Sequence, residues 1–277
     1  MRGQYNQVIG AGYSKSKMDL KELNTRSVGL VLSGGGVKGM AHIGLIRALD
    51  QFGISPATVS GTSVGALIGA LYSNGNSVAE MLQFFKETPL FRYHLMTILK
   101  PGLIDTDRYY TLFKKYFPED SFEGLGKRLF VVTTDLQRGS ERIFSEGGLI
   151  KPLLASAALP PVFSPVEIEG HLYADGGIMN NFAYEVVKQH SNFVIGSNVS
   201  GIKEIGRDAI RTSFQLANRT TALMIYAINK EKVKKCDMVF EPSALELIGI
   251  LDKKGIEKAY AIGYEHAVKM LERRFGK

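Results

Sequence analysis

The chain has 277 residues, 45% of them hydrophobic and 22% charged, with a formal net charge of +7. That is ample material for a large buried core, and the balance is that of an ordinary globular protein, which excludes a disordered, fibrous or collagen-like chain. A single cysteine, Cys236, excludes an intramolecular disulfide framework, and no set of Cys and His has metal-ligand spacing, so neither a metal nor a cofactor is expected.

Residues 1–26 are sparse in apolar side chains and read as an N-terminal arm that is not packed. They contain no apolar stretch of the kind a secretion signal needs, and nowhere does the chain reach the roughly 18 consecutive apolar residues of a membrane span. The expected location is therefore cytoplasmic, with peripheral contact at a membrane surface left open. From Val28 onward, short apolar runs alternate with helical stretches. The strand-like VGLVLS is followed by the helical MAHIGLIRALDQFG, then the strand-like ATVSGTS by the helical VGALIGALYSNG. Further strand-like runs are RLFVVTTD, EIEGHLYADG, SNFVIGSNV and CDMVFEP. This alternation predicts an α/β fold, a three-layer sandwich with a central, mostly parallel sheet covered by helices on both faces. No repeat or linker divides it, so residues 27–277 read as one domain. Residues 84–125 are rich in Phe, Tyr, Leu and Met and broken by prolines 89, 101 and 118. They suit either an apolar cap over a site for a greasy substrate or plain packing on the core. Residues 201–277 hold 15 Lys or Arg against 10 Asp or Glu. Such a surplus suits an anionic partner, a membrane surface or nucleic acid, and equally a solvated basic face. The chain has no helix-turn-helix or zinc pattern, and no interleaving of Arg with aromatics, so nucleic acid is not expected.

Chemistry concentrates in three motifs. The first is SGGGVKG, residues 33–39, between a strand and a helix, where consecutive glycines let several N–H groups converge on one anion. Gly34, Gly36 and Gly39 also fit a dinucleotide fingerprint, but the next strand ends in SGTSVG without the acidic residue that would hold a ribose. A Walker loop fails as well, because Lys38 follows Val37 and precedes Gly39. The second motif is GTSVG, residues 61–65, a G-x-S-x-G sequence between strand and helix. In that context Ser63 is either a nucleophile on a sharp turn or a helix-capping serine. A nucleophile needs a base. Among His42, His94, His171, His190 and His266, a Ser-Asp-His order with Ser63 and Asp175 would select His266, and it lies in a stretch with helical spacing that suits a surface or packing residue. The third motif, YADGGIMNN, offers Asp175 before a tight glycine turn.

SGGGVKGMAHIG, GTSVGALIGALYS and YADGGIMNN, in this order, together resemble the patatin-like phospholipases, especially their bacterial members, and PGLIDTDRYY, FVVTTDL and ASAALPPVFSPVEI are similar to that family too. The resemblance covers residues 28–200 and, more faintly, the CDMVFEP strand and the last helices. It implies a serine hydrolase with a catalytic dyad and no histidine. Ser63 would attack an acyl carbonyl, and Asp175 would take its proton and later activate water. The N–H groups of Gly34, Gly35 and Gly36 would form the oxyanion hole. Lys38 would stand where the family often has arginine, as an anion or substrate contact without the planar fork. The family's proline after the two asparagines is absent here, where the sequence reads NNFAY. The implied substrates are phospholipids, lysophospholipids or related long-chain esters. Acyl transfer through the same site, or a lipid-binding module without activity, are the alternatives.

Overall fold

The computed structural model describes residues 19–88, 109–249 and 252–276. Its elements run α1 (Leu20–Asn24), β1 (Val28–Leu32), α2 (Met40–Gln51), β2 (Thr58–Thr62), α3 (Val64–Ser73), α4 (Val78–Glu87), α5 (Tyr110–Tyr116), β3 (Arg128–Asp135), β4 (Ser140–Phe144), α6 (Ile150–Ser156), β5 (Val166–Ile168), β6 (His171–Asp175), α7 (Tyr184–Lys188), β7 (Phe193–Ser197), α8 (Ser213–Lys234), β8 (Met238–Phe240) and α9 (Ile256–Phe275). Single 3-10 turns follow β1 at Gly36–Gly39 and β6 at Gly176–Ile178.

Strand β1 is buried along its whole length because both of its faces are covered. Leu30 and Leu32 point into the larger core, formed with α2, α3, α6 and α9, whereas Val31 points into a smaller one with Phe182, Val187, Val194 and Val233. The sheet order is β5-β6-β3-β2-β1-β7-β8, with β4 on β3. Strands β1, β2, β3, β7 and β8 are parallel, while β4 and β6 run antiparallel to β3 and β5 antiparallel to β6. The fold is thus α/β with a mixed, mostly parallel central sheet.

The run EIEGHLYADG is not one strand. It is the hairpin β5–β6, turned by Glu169 and Gly170, both at positive φ (52° and 78°). Strand β4 carries no clear sequence signal because its residues are exposed or half-buried, so it lacks a buried apolar face. Packing also begins before Val28: Leu23 of α1 is fully buried, so the arm extends no further than the residues ahead of this short helix, and residues 1–18 lie outside the described part. In the aromatic stretch, Phe84, Phe85, Tyr109, Phe113, Phe117 and Phe122 are all core residues, with Phe84 in edge contact with Phe85, Phe113 and Tyr116. Their greasiness serves the core. The remainder of the expected cap, residues 89–108, lies outside the described residues. Among the described residues no helix is long and apolar enough to cross a membrane.

Candidate active site

Parallel strands put the loops after β1 and β2 at the same edge of the sheet, where α/β proteins build their sites. Gly61 and Gly65 let the second of these loops turn sharply. A Cβ on Gly61 would stand 2.4 Å from the Gly65 carbonyl oxygen, and one on Gly65 would stand 2.4 Å from the Leu32 carbonyl oxygen, so α3 can approach the sheet only with glycine at both places. Between them, Ser63 holds φ 54° and ψ −127°, a conformation L residues rarely adopt. The surroundings hold it there. Its N–H donates to Ser156 Oγ at 2.9 Å, the Ser156 hydroxyl donates to the Val132 carbonyl at 2.6 Å, and its own carbonyl accepts from Ala66 and Leu67 at the start of α3. The Ser63 side chain caps no helix amide, so its hydroxyl is left for other work.

Asp175 reaches the same spot by strand register. Strand β2 pairs with β3 up to Thr62 opposite Val132, and β6 takes up the pairing one residue further on, with Asp175 opposite Thr133. The last residue of β6 therefore meets the turn after β2 end to end. The Asp175 carboxylate accepts the Gly177 N–H at 2.8 Å, and its carbonyl accepts the Thr134 hydroxyl at 2.9 Å. Burial pushes its pKa up to about 6, while hydrogen bonding from the Ser63 hydroxyl and the Gly177 amide pulls the other way. At pH 7 such a carboxylate is mostly ionised, and it is a stronger base than an ordinary aspartate.

The glycine loop lies against this pair. A Cβ on Gly34 would come within 3.1 Å of Ser63 Cβ. The Gly34 N–H, however, donates to Asn181 Oδ1 at 3.0 Å, and its carbonyl accepts from Asn181 Nδ2 and the Ser200 hydroxyl. Gly34 is thus a buried fixed point of the loop. Gly35 and Gly36 are half-buried, and among the described residues no hydrogen bond engages their N–H groups. Lys38 is not brought to Ser63. It lines a cavity of about 180 Å³ with Asn198, Lys203, Glu241 and Glu246, and burial lowers its pKa against the attraction of Glu246.

No histidine among the described residues is hydrogen-bonded to Ser63 or Asp175. His42 is buried behind the glycine loop, where Nε2–H donates to the Ser33 carbonyl at 2.9 Å and Nδ1 accepts the Ser197 hydroxyl at 2.6 Å. Burial lowers its pKa to about 4, so it is neutral. His171 faces Asp135, His190 stacks on Phe130 and contacts Arg128, and His266 lies on α9 against Phe240. His94 lies outside the described residues. Sequence reasoning missed Ser156 and the two roles of Asn181. Neither serine nor asparagine has a periodic or spacing signature that ties it to a partner on another strand. Among the described residues, no group of three or more His, Cys, Asp and Glu could hold a metal.

A family model described as patatin-like phospholipase matches residues 30–188, which include the glycine loop, Ser63 and Asp175. Patatin-like phospholipase domain-containing protein 6 of Mus musculus is 32% identical over 179 residues, 60% of this chain and 13% of that protein. Neuropathy target esterase sws of Drosophila melanogaster is 32% identical over 175 residues, 60% of this chain and 12% of that protein. The chain thus spans only a small part of these curated relatives. Among solved structures, VipD from Legionella pneumophila is similar with a TM-score of 0.52 at 15% identity, covering 90% of this chain and 67% of that one.

Proposed function

The chain belongs to the patatin-like phospholipase family, and on that premise we propose that it is a lipid acyl hydrolase cleaving carboxylic esters of phospholipids, lysophospholipids or related long-chain esters through Ser63 and Asp175. The single observation that carries this reading is the end-to-end meeting of β2 and β6 on β3, which sets a buried carboxylate of raised pKa against a serine in a strained turn.

In this mechanism Asp175 accepts the Ser63 proton as Oγ bonds to the ester carbonyl carbon. The carbonyl oxygen becomes an oxyanion facing the N–H groups of Gly35 and Gly36, while Gly34, tied to Asn181, holds the loop in position. The carbon–oxygen bond to the alcohol then breaks, and protonated Asp175 returns its proton to the leaving oxygen. Asp175, again ionised, takes a proton from water as that water attacks the acyl-enzyme. Release of the fatty acid returns the proton to Ser63. A half-buried serine beside a buried carboxylate favours apolar acyl chains over small charged esters, since the chain excludes water from the dyad.

The test is labelling with a lipophilic fluorophosphonate, read by intact mass, on the parent and on the Ser63→Ala and Asp175→Ala proteins. We expect one adduct on the parent, none on Ser63→Ala and strongly slowed labelling on Asp175→Ala. A folded parent that stays unlabelled in detergent would overturn the assignment. Product analysis with and without an added alcohol separates hydrolysis from acyl transfer.

A further inference from the structure

Helix α8 is built to stand by itself. It runs 22 residues and starts with a reciprocal cap, in which the Thr212 hydroxyl accepts the Gln215 N–H and the Gln215 side chain accepts the Thr212 N–H. Among its described side chains only Asn229 and Val233 are buried. Both point to one side. On the other side Leu216, Leu223, Met224 and Ile228 are exposed by 51%, 43%, 61% and 43%. With Thr220 and Ala227, also exposed, they recur at helical spacing and form one outward apolar stripe. Scattered apolar residues on a surface need no explanation, but a contiguous stripe on a helix does.

The stripe ends in charge. Lys230, Glu231, Lys232, Lys234 and Lys235 occupy the last turns of α8 and the residue after it, with Lys232 and Lys235 sharing Glu185 and Lys234 paired to Glu231. Arg207 and Arg211, the latter paired to Asp208, precede the helix beside exposed Ile205 and Ile210; across these groups the cations outnumber the acids. Its C-terminal end is also joined to the catalytic turn, because Lys232 Nζ donates to Asn180 Oδ1 at 3.0 Å. In that turn Ile178 and Met179, which follow Asp175, are themselves 41% and 40% exposed. An apolar strip edged with cations and tied to the site of ester cleavage matches an interface of acyl chains under anionic headgroups. A second copy of the chain is the poorer fit. Parallel pairing of two α8 helices would oppose their lysines, and antiparallel pairing would set those lysines over the partner's Leu216 end.

We infer that the outward face of α8, with Ile178 and Met179, is the surface by which the protein seats on an anionic lipid bilayer, with Met224 and Ile228 entering the headgroup layer. The inference rests on the reading that the substrate is a lipid ester, and its test is separable from that reading.

The chain contains no tryptophan, so Met224→Trp supplies a unique fluorophore. On vesicles of phosphatidylglycerol and phosphatidylcholine, its emission shifts to the blue and is quenched by brominated acyl chains, and raised salt weakens the binding. Met224→Asp with Ile228→Asp lowers sedimentation with the same vesicles by roughly tenfold or more, while turnover of a soluble short-chain ester stays at the parent rate. An unshifted indole emission from the Met224→Trp protein on vesicles that do sediment it, or equal sedimentation of parent and double variant, would overturn the inference. So would a parent dimer, seen by ultracentrifugation, that the double variant dissolves, since a second copy would then own the stripe. Vesicle binding through α8 without ester turnover would instead refute the hydrolase reading and leave this one standing.

Discussion

Replacing Asp175 by asparagine should make the protein more stable and inactive in one step. The carboxyl is buried and its pKa is pushed from 3.8 to about 6, so folding holds an ionised group where water would hold it better. A folded pKa above the unfolded one means that the group's stability contribution is complete below pH 3.8 and lost as pH rises through about 6. At about 1.36 kcal/mol per pH unit, the penalty reaches about 3 kcal/mol at pH 8 and shrinks to about 1 kcal/mol at pH 4.5. Asparagine has no charge to bury and keeps an oxygen for the Gly177 N–H, so the variant escapes the pH-dependent part. Urea unfolding of parent and Asp175→Asn at pH 8 and pH 4.5 measures the difference directly, and the comparison cancels every other titrating group, His42 included. The stability advantage of the variant should fall by about 2 kcal/mol between the two conditions. An advantage independent of pH, or one that grows on acidification, would show that Asp175 is not a desolvated carboxylate and would remove the basis for its role as base.

Three further outcomes follow from the same geometry. The parent's kcat/KM for a neutral ester should fall on the acid side with an apparent pKa near 6, since protonated Asp175 cannot accept the Ser63 proton; a limb near 4 would contradict the burial argument. Gly65→Ala would force a Cβ to within 2.4 Å of the Leu32 carbonyl and 2.6 Å of the Ser33 carbonyl, so fluorophosphonate labelling should slow and stability drop by about 1–3 kcal/mol, checked by labelling rate and thermal melting. Asn181→Ala would leave the buried Gly34 N–H without its acceptor, and we expect a loss of about 1–3 kcal/mol in stability together with a fall in kcat larger than any rise in KM, read by steady-state kinetics.

Much of this was written in local sequence. Buried parallel strands read as the apolar runs VGLVL and the LFVV of RLFVVTTD, helices as small-residue and apolar periodicity, and the elbow as a serine between two glycines. These signals depend only on neighbours along the chain, which is why Ser63 stood out, whereas Asp175, an aspartate before a glycine turn, gained its role only from the resemblance carried by the three motifs together. Strand β4 did not, because an exposed strand needs no apolar alternation. The aromatics at 84–88 and 109–125 had the composition of a cap and the same composition as a core, and only their burial separates the two.

What tertiary structure decided was pairing. The meeting of Ser63 with Asp175 depends on where β2 stops and β6 starts along β3, a register that no local pattern encodes. The same holds for the glycine loop: three consecutive glycines are alike in sequence, and it is the Asn181 side chain, arriving from after β6, that takes the Gly34 amide and sets it apart from those of Gly35 and Gly36. The outward side of α8 was equally hidden, since a helix with apolar residues on most of its circumference declares its free face only once the body has chosen Asn229 and Val233 to bury. Local chemistry specifies which residues can act; long-range register and burial specify which of them face one another.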